Sequence, residues 1–135
     1  MTGQEMLHEK VKGPTRHGLL ELELFLPVRV LRDETIKASV KATLPSESKL
    51  PSDMLLAFNI SLRDSDSHTV VDGLRGSLTS SPQYPEGHSG QLIAVFNDIT
   101  ITRVGQYRVR VLLAASSPSQ VIILGRVDSD IVEVN

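Results

Sequence analysis

The residues of this chain with chemistry to offer are four histidines, an aspartate-rich turn and a group of arginines. Their spacing limits what they can do. His8, His17, His68 and His88 lie far apart, no pair stands at zinc-ligand spacing, and there is no cysteine to complete a site. Asp64, Asp66 and Asp72 carry oxygens that calcium would accept. Their segment lacks the regular alternation of donors and the distal bidentate glutamate of a calcium loop, so it reads as a solvated acidic turn. Serines are many, but there is no G-x-S-x-G elbow, no phosphate-cradling loop and no dinucleotide fingerprint. Two Tyr, three Phe and no Trp make a poor stacking platform for single-stranded nucleic acid. The chain therefore reads as non-enzymatic, without cofactor or metal.

One charge feature stands out. No acidic residue occurs between Ile99 and Val127, while Arg103, Arg108, Arg110 and Arg126 all fall there. Arg108 and Arg110, two positions apart on a strand, share a face from which guanidinium groups can engage phosphates or a partner's carboxylates. The competing reading pairs them with Glu21, Glu23, Asp98 or Glu133 on neighbouring strands. A second basic group, Lys10, Lys12 and Arg16, sits in the lead-in. The candidate nucleic-acid or partner-binding residues are thus Lys10, Lys12, Arg16, Arg103, Arg108 and Arg110, provided that the two groups converge on one surface.

These residues must be positioned by strands. In Gly90 to Ala114 two β-branched and aromatic runs are joined by a short polar connection ending in Gly105, and Asn97-Asp98 marks a turn or bulge. Tyr107, Val109, Val111 and Leu113 alternate with Gln106, Arg108, Arg110 and Leu112, a period of two that predicts a half-buried strand. Leu20 to Val30 alternates in the same way and predicts one strand, or two bent at Pro27, because proline lacks a ladder donor. Further strands are expected at 35–42, 55–62, 120–127 and 131–134. Short strands at 68–71 and 75–80 are expected around a hairpin at Asp72-Gly73. The stretches 44–53 and 81–89, rich in Pro and Ser, read as loops. The expectation is an all-β, antiparallel immunoglobulin-like or Rel-homology-like β-sandwich of about eight or nine strands. Residues 1–18 read as a flexible, solvated N-terminal arm and 19–135 as one sandwich domain.

The second half of the chain carries a resemblance. Leu74-Arg75-Gly76-Ser77, Ser80-Ser81, Gly87, Gly90, Phe96, Asp98-Ile99 and Ile101 are followed by Gly105-Gln106-Tyr107-Arg108-Val109-Arg110 and Leu112. Together they resemble the velvet domain of fungal regulators, with its L-x-G-x-x-x-S-S, F-x-D-L-x-I and G-x-Y-R-L-R segments. Val127-Asp128-Ser129-Asp130 with Val132 and Val134 is similar to that family's V-x-S-D-x-F-x-V strand. The resemblance implies a non-enzymatic regulatory protein that dimerises with itself or another velvet-like protein. It further implies contact with double-stranded DNA, a place in the nucleus and cytoplasm, and control of development, sporulation and secondary metabolism. It implies fold-forming roles for Gly105 at its turn, Tyr107 in the core and Asp98 in local capping. The family's basic segment before its aspartate and proline run is echoed only by Pro14-Thr15-Arg16-His17-Gly18.

A second reading stands beside it: an immunoglobulin-like protein–protein interaction module that binds no DNA, using an exposed sheet edge or loop, or the long strand at 19–31 with Phe25 and Leu31 on its second face. Bulk properties suit both. The 135 residues are 40% hydrophobic, enough for one core without disulfides or metal. The net charge of -2 argues against coating nucleic acid through bulk charge. No apolar run is long enough for a membrane helix, and the polar start lacks the centre of a signal peptide, so a cytosolic or nuclear protein is expected.

Overall fold

A computed structural model describes the backbone of residues 6–15, 18–44, 53–84 and 90–135, and side chains for 21–44, 53–84 and 90–135. The described residues form strands and no helix, in the order β1 (Met6–Thr15), β2 (Gly18–Pro27), β3 (Arg29–Val30), β4 (Ile36–Thr43), β5 (Leu55–Asp64), β6 (Leu74–Arg75), β7 (Thr79–Ser80), β8 (Gln91–Ile101), β9 (Gly105–Ser117), β10 (Gln120–Asp128) and β11 (Val132–Val134). One sheet runs β1-β2-β4-β8-β6. The other runs β3-β11-β9-β5-β7, with β10 also paired to β9. The pairings are antiparallel except β11 with β3, which is parallel. The expected all-β sandwich is the fold observed.

Alternation decides what the sheets enclose. Leu22, Leu24, Leu26, Val40, Leu92, Ala94 and Phe96 face inward from the first sheet. Phe58, Ile60, Leu62, Val109, Val111, Leu113 and Val127 meet them from the second, all almost wholly buried. Because side chains alternate across a strand, these positions bury every second residue and leave the intervening ones on the outer faces.

Several breaks in the pattern have local causes. The chain leaves the first sheet at Pro27, and β3 pairs with β11 in the second, so the bend read at that proline is a change of sheet. The Asn97-Asp98 interruption is a bulge: Ile36 opposes Ile99 and Ala38 opposes Phe96, two steps on β4 against three on β8. The link after Ile101 carries the chain from the first sheet to the second, so β8 and β9 lie in different layers.

Two expectations are corrected. Met6–Thr15 is a strand along the full length of β2, from Met6 opposite Pro27 to Thr15 opposite Gly18, where a lead-in arm is expected from the sequence. Its alternation is masked by charge, and β2 supplies the template that completes it. The hairpin at Asp72-Gly73 does not form. Val71 donates to the Leu62 carbonyl at 3.0 Å, Leu74 and Arg75 pair with β8, and Thr79 and Ser80 return to β5. Leu74 is buried, and inserting it between the layers draws the segment across them instead of back on itself. Of the long strand at 19–31, β2 is enclosed between β1 and β4 and β3 lies at the edge of the second sheet; on its second face Phe25 is half-buried and Leu31 exposed.

Candidate functional site

The candidate site starts from the face of β9 opposite its buried valines. Arg110 lies directly across from Asp128 on β10. Its Nε donates to Asp128 Oδ1 at 2.7 Å and its Nη2 to Oδ2 at 3.0 Å, a bidentate fork. Arg108 donates from Nε to the Ser65 carbonyl at 3.0 Å and from Nη1 to the Ser129 carbonyl at 3.2 Å. Its Nη1 also reaches Asp130 Oδ1 at 3.5 Å. Between them Val109 and Ser129 are joined twice. Ser129 N–H donates to the Val109 carbonyl at 2.8 Å, and the buried Ser129 hydroxyl accepts from Val109 N–H at 2.8 Å. Arg108-Val109-Arg110 is thus clasped by Asp128-Ser129-Asp130, each residue held by the one opposite or beside it.

The mates expected from the sequence are engaged elsewhere. Glu23 faces Lys41 Nζ at 3.8 Å and Glu133 faces Arg29 Nε at 3.6 Å. Asp98 accepts from Ser77 N–H at 3.2 Å and from its hydroxyl at 3.1 Å. Asp98 therefore ties together residues 21 apart in sequence and is not a local cap. Tyr107 is half-buried at the rim of the core and donates its hydroxyl to the Val104 carbonyl at 3.1 Å. That bond across the start of β9 is a tyrosine corner in form.

Electrostatics follow the geometry. Burial raises the Asp128 carboxyl, but hydrogen bonds and charge from Arg110, helped by Arg126 and His68, hold it below the usual aspartate range. His68 Nδ1 lies 3.6 Å from Asp128 Oδ2. Arg63, opposite Arg108 on β5, is pushed down by burial and by its neighbours Arg110 and Arg126, against the pull of Asp128. The cluster is crowded with cations.

A folded-state pKa below the unfolded one stabilises above the ordinary carboxyl range and loses that effect as pH falls through the lowered value. Asp128→Asn is thus expected to cost about 1–2 kcal/mol at neutral pH, from the charged hydrogen bonds lost. The difference from the parent should shrink below about pH 4. Urea melts of both chains at pH 7 and pH 3 check this, and an unchanged gap at pH 3 would refute it.

The remaining candidates do not join the clasp. Arg103 is exposed on the link between β8 and β9, beside Gly73 and Asp72. Lys10 and Lys12 occupy β1 in the other sheet, at register positions opposite Glu23 and Glu21. Arg16 lies outside the described residues. The structure brings Arg108 and Arg110 together and separates them, by sheet, from Lys10 and Lys12. Among the described residues no group of His, Asp or Glu is arranged to hold a metal.

Sequence reasoning missed what the same outer face does further along. Three rows cross the second sheet: Leu55, Ser116 and Val121; Ala57, Ala114 and Ile123; Asn59, Leu112 and Arg126. Leu55, Val121 and Ile123 are 78%, 66% and 53% exposed. The bulge between Ile123 and Gly125 takes up Leu124 and returns Arg126 and Asp128 to the outer face. Reading 120–127 in two phases about that glycine would have found it. The face is thus apolar at one end and a guanidinium–carboxylate network at the other.

Fold and site together define a two-layer β-sandwich with an amphipathic outer face. No protein-family model matches the chain, and no curated protein matches it.

Proposed function

We propose that the chain is a velvet-like, non-enzymatic regulatory domain that works by associating with protein, its first partners being itself or another velvet-like chain. The observation that carries this reading is the clasp. Arg108 and Arg110 spend their donors on Asp128, Asp130 and two carbonyls, so the strand arginines serve the scaffold more than a phosphate backbone. The separation of Lys10 and Lys12 onto the other sheet points the same way. Support for the velvet-like part comes from where the resembling segments meet. Gly76-Ser77 packs on Asp98 of the second segment, and the Arg108–Arg110 strand interlocks with Asp128–Asp130 of the last. Segments distant in sequence thus form contiguous contacts, as pieces of one conserved-type design would. In the cell the reading places the chain in nucleus and cytoplasm, acting on development and secondary metabolism.

The test is molar mass by light scattering over a concentration series, with titration of mixed-sequence duplex DNA at several salt concentrations. The expected result is self-association with, at most, weak DNA binding. A chain monomeric throughout that binds duplex at micromolar or better, with affinity falling steeply in salt, would overturn the proposal in favour of a DNA-contacting role.

A further inference from the structure

We infer that the outer face of β9, β5 and β10 is a docking surface for a segment of another protein that is apolar at one end and acidic at the other. The inference rests on reading the chain as an interaction module, but not on its self-association.

Three exposed aliphatics, Leu55, Val121 and Ile123, gather in two adjacent rows, with Ala57 and Ala114 between them and Leu112 in the next row. Exposed aliphatics in adjoining rows of a sheet make a contiguous patch, which soluble proteins rarely leave uncovered without use. From the row of Leu112 onward the face turns cationic. Arg126, Arg110, Arg108 and Arg63 project from its strands, and Asp128 is the acidic residue on those rows. Asp64 is drawn into the neighbouring turn, where it accepts from Asp66 and Ser67, and Asp130, in the turn after β10, is engaged by Arg108 Nη1 at 3.5 Å. Arg110 occupies Asp128 through both its oxygens, while Arg126 is exposed. Like charges held this close repel: Arg63, pushed down first by burial, is pushed down further by Arg110 and Arg126. Carboxylates brought by a partner would relieve it.

The occupant follows from this pattern. A second copy presenting the same face would set its arginines against arginines or against the exposed aliphatics, and would bring no free carboxylates to them. Duplex DNA would satisfy the guanidinium groups but set phosphates against Leu55, Val121 and Ile123. An anionic membrane suits an apolar tip ringed by cations, whereas here the two characters lie end to end on one flat sheet. From Leu55 to Arg63 the face spans about 27 Å. An α-helix of about 18 residues covers that length.

The probe is therefore a synthetic helical peptide of about 18 residues. It carries leucines on one face in its first half and glutamates on the same face in its second. Binding is read by anisotropy, and amide shifts of the full chain locate it. Expected are shifts centred on Val121, Ile123, Leu112 and Arg126, with affinity weakened by salt. A peptide with Lys in place of Glu should bind at least about tenfold worse, and Ile123→Asp and Arg126→Glu should each lose about as much. Both positions are exposed, so folding is retained, and circular dichroism checks it. Equal binding of the Lys peptide, shifts on another face, or no binding would overturn the inference. So would preferential binding to phosphatidylserine vesicles, or displacement of the peptide by duplex DNA. Light scattering on the same samples separates the two proposals: Ile123→Asp should leave self-association unchanged, and a monomeric variant would instead assign this face to a second copy.

Discussion

Phe58→Ala is expected to cost about 4 kcal/mol. Phe58 is fully buried in the middle of β5, with β9 on one side and Ser80 of β7 on the other. Removing its ring deletes apolar contacts and leaves a cavity between two sheets that are pinned by their ladders and cannot close over it. A domain of this size has about 5–15 kcal/mol of stability in total, so the variant should unfold at a much lower urea concentration. Leu55→Ser, three residues away on the opposite face, removes an exposed side chain and should change stability by less than about 0.5 kcal/mol. A loss of similar size for both variants would mean that the phase of β5 is wrong.

The second large effect concerns Gly76. Its φ of 114° lies where side chains are rarely found, and a Cβ there would collide with the carbonyl oxygen of Asp98 in β8. Backbone, not a pliable side chain, stands in the way, so relief requires moving the bulged part of β8 that holds Ile99 in the core. Gly76→Ala is expected to cost about 3 kcal/mol from strain and displacement together. Gly90 offers the control. Its φ is also positive, 81°, but a Cβ there meets only the Leu44 carbonyl at 3.5 Å, so Gly90→Ala should cost about 1 kcal/mol. Equal losses in thermal or urea melts would show that φ alone governs both positions.

Gly76 also shows where sequence reading stops. That a glycine in Leu74-Arg75-Gly76-Ser77 marks a turn is a local statement, and it is legible. That the turn lies against Asp98, whose carboxylate then takes both Ser77 donors, depends on how β6 docks on β8. The same division runs through the arginines. The shared face of Arg108 and Arg110 follows from alternation alone. Their mates do not: Glu21 and Glu23 lie on β2, which belongs to the opposite sheet. Asp128 and Asp130 become the partners because β10 turns back on β9 with Asp128 opposite Arg110.

By itself the sequence determined the strands whose residues alternate regularly, and which side of each is wet. The alternation at 55–62 and 105–114, the bend at Pro27 and the bulge at Asn97-Asp98 are all read within a few residues, because side-chain direction and backbone freedom are local properties. Tertiary structure decided the rest. It recruited Met6–Thr15 as a strand through pairing with β2, drew 70–80 across the layers to bury Leu74, and locked the arginines onto Asp128 and Asp130. It also aligned Leu55, Val121 and Ile123 into one patch. Each of these depends on the register between strands far apart in sequence, which is set by the shared core and not by any one segment.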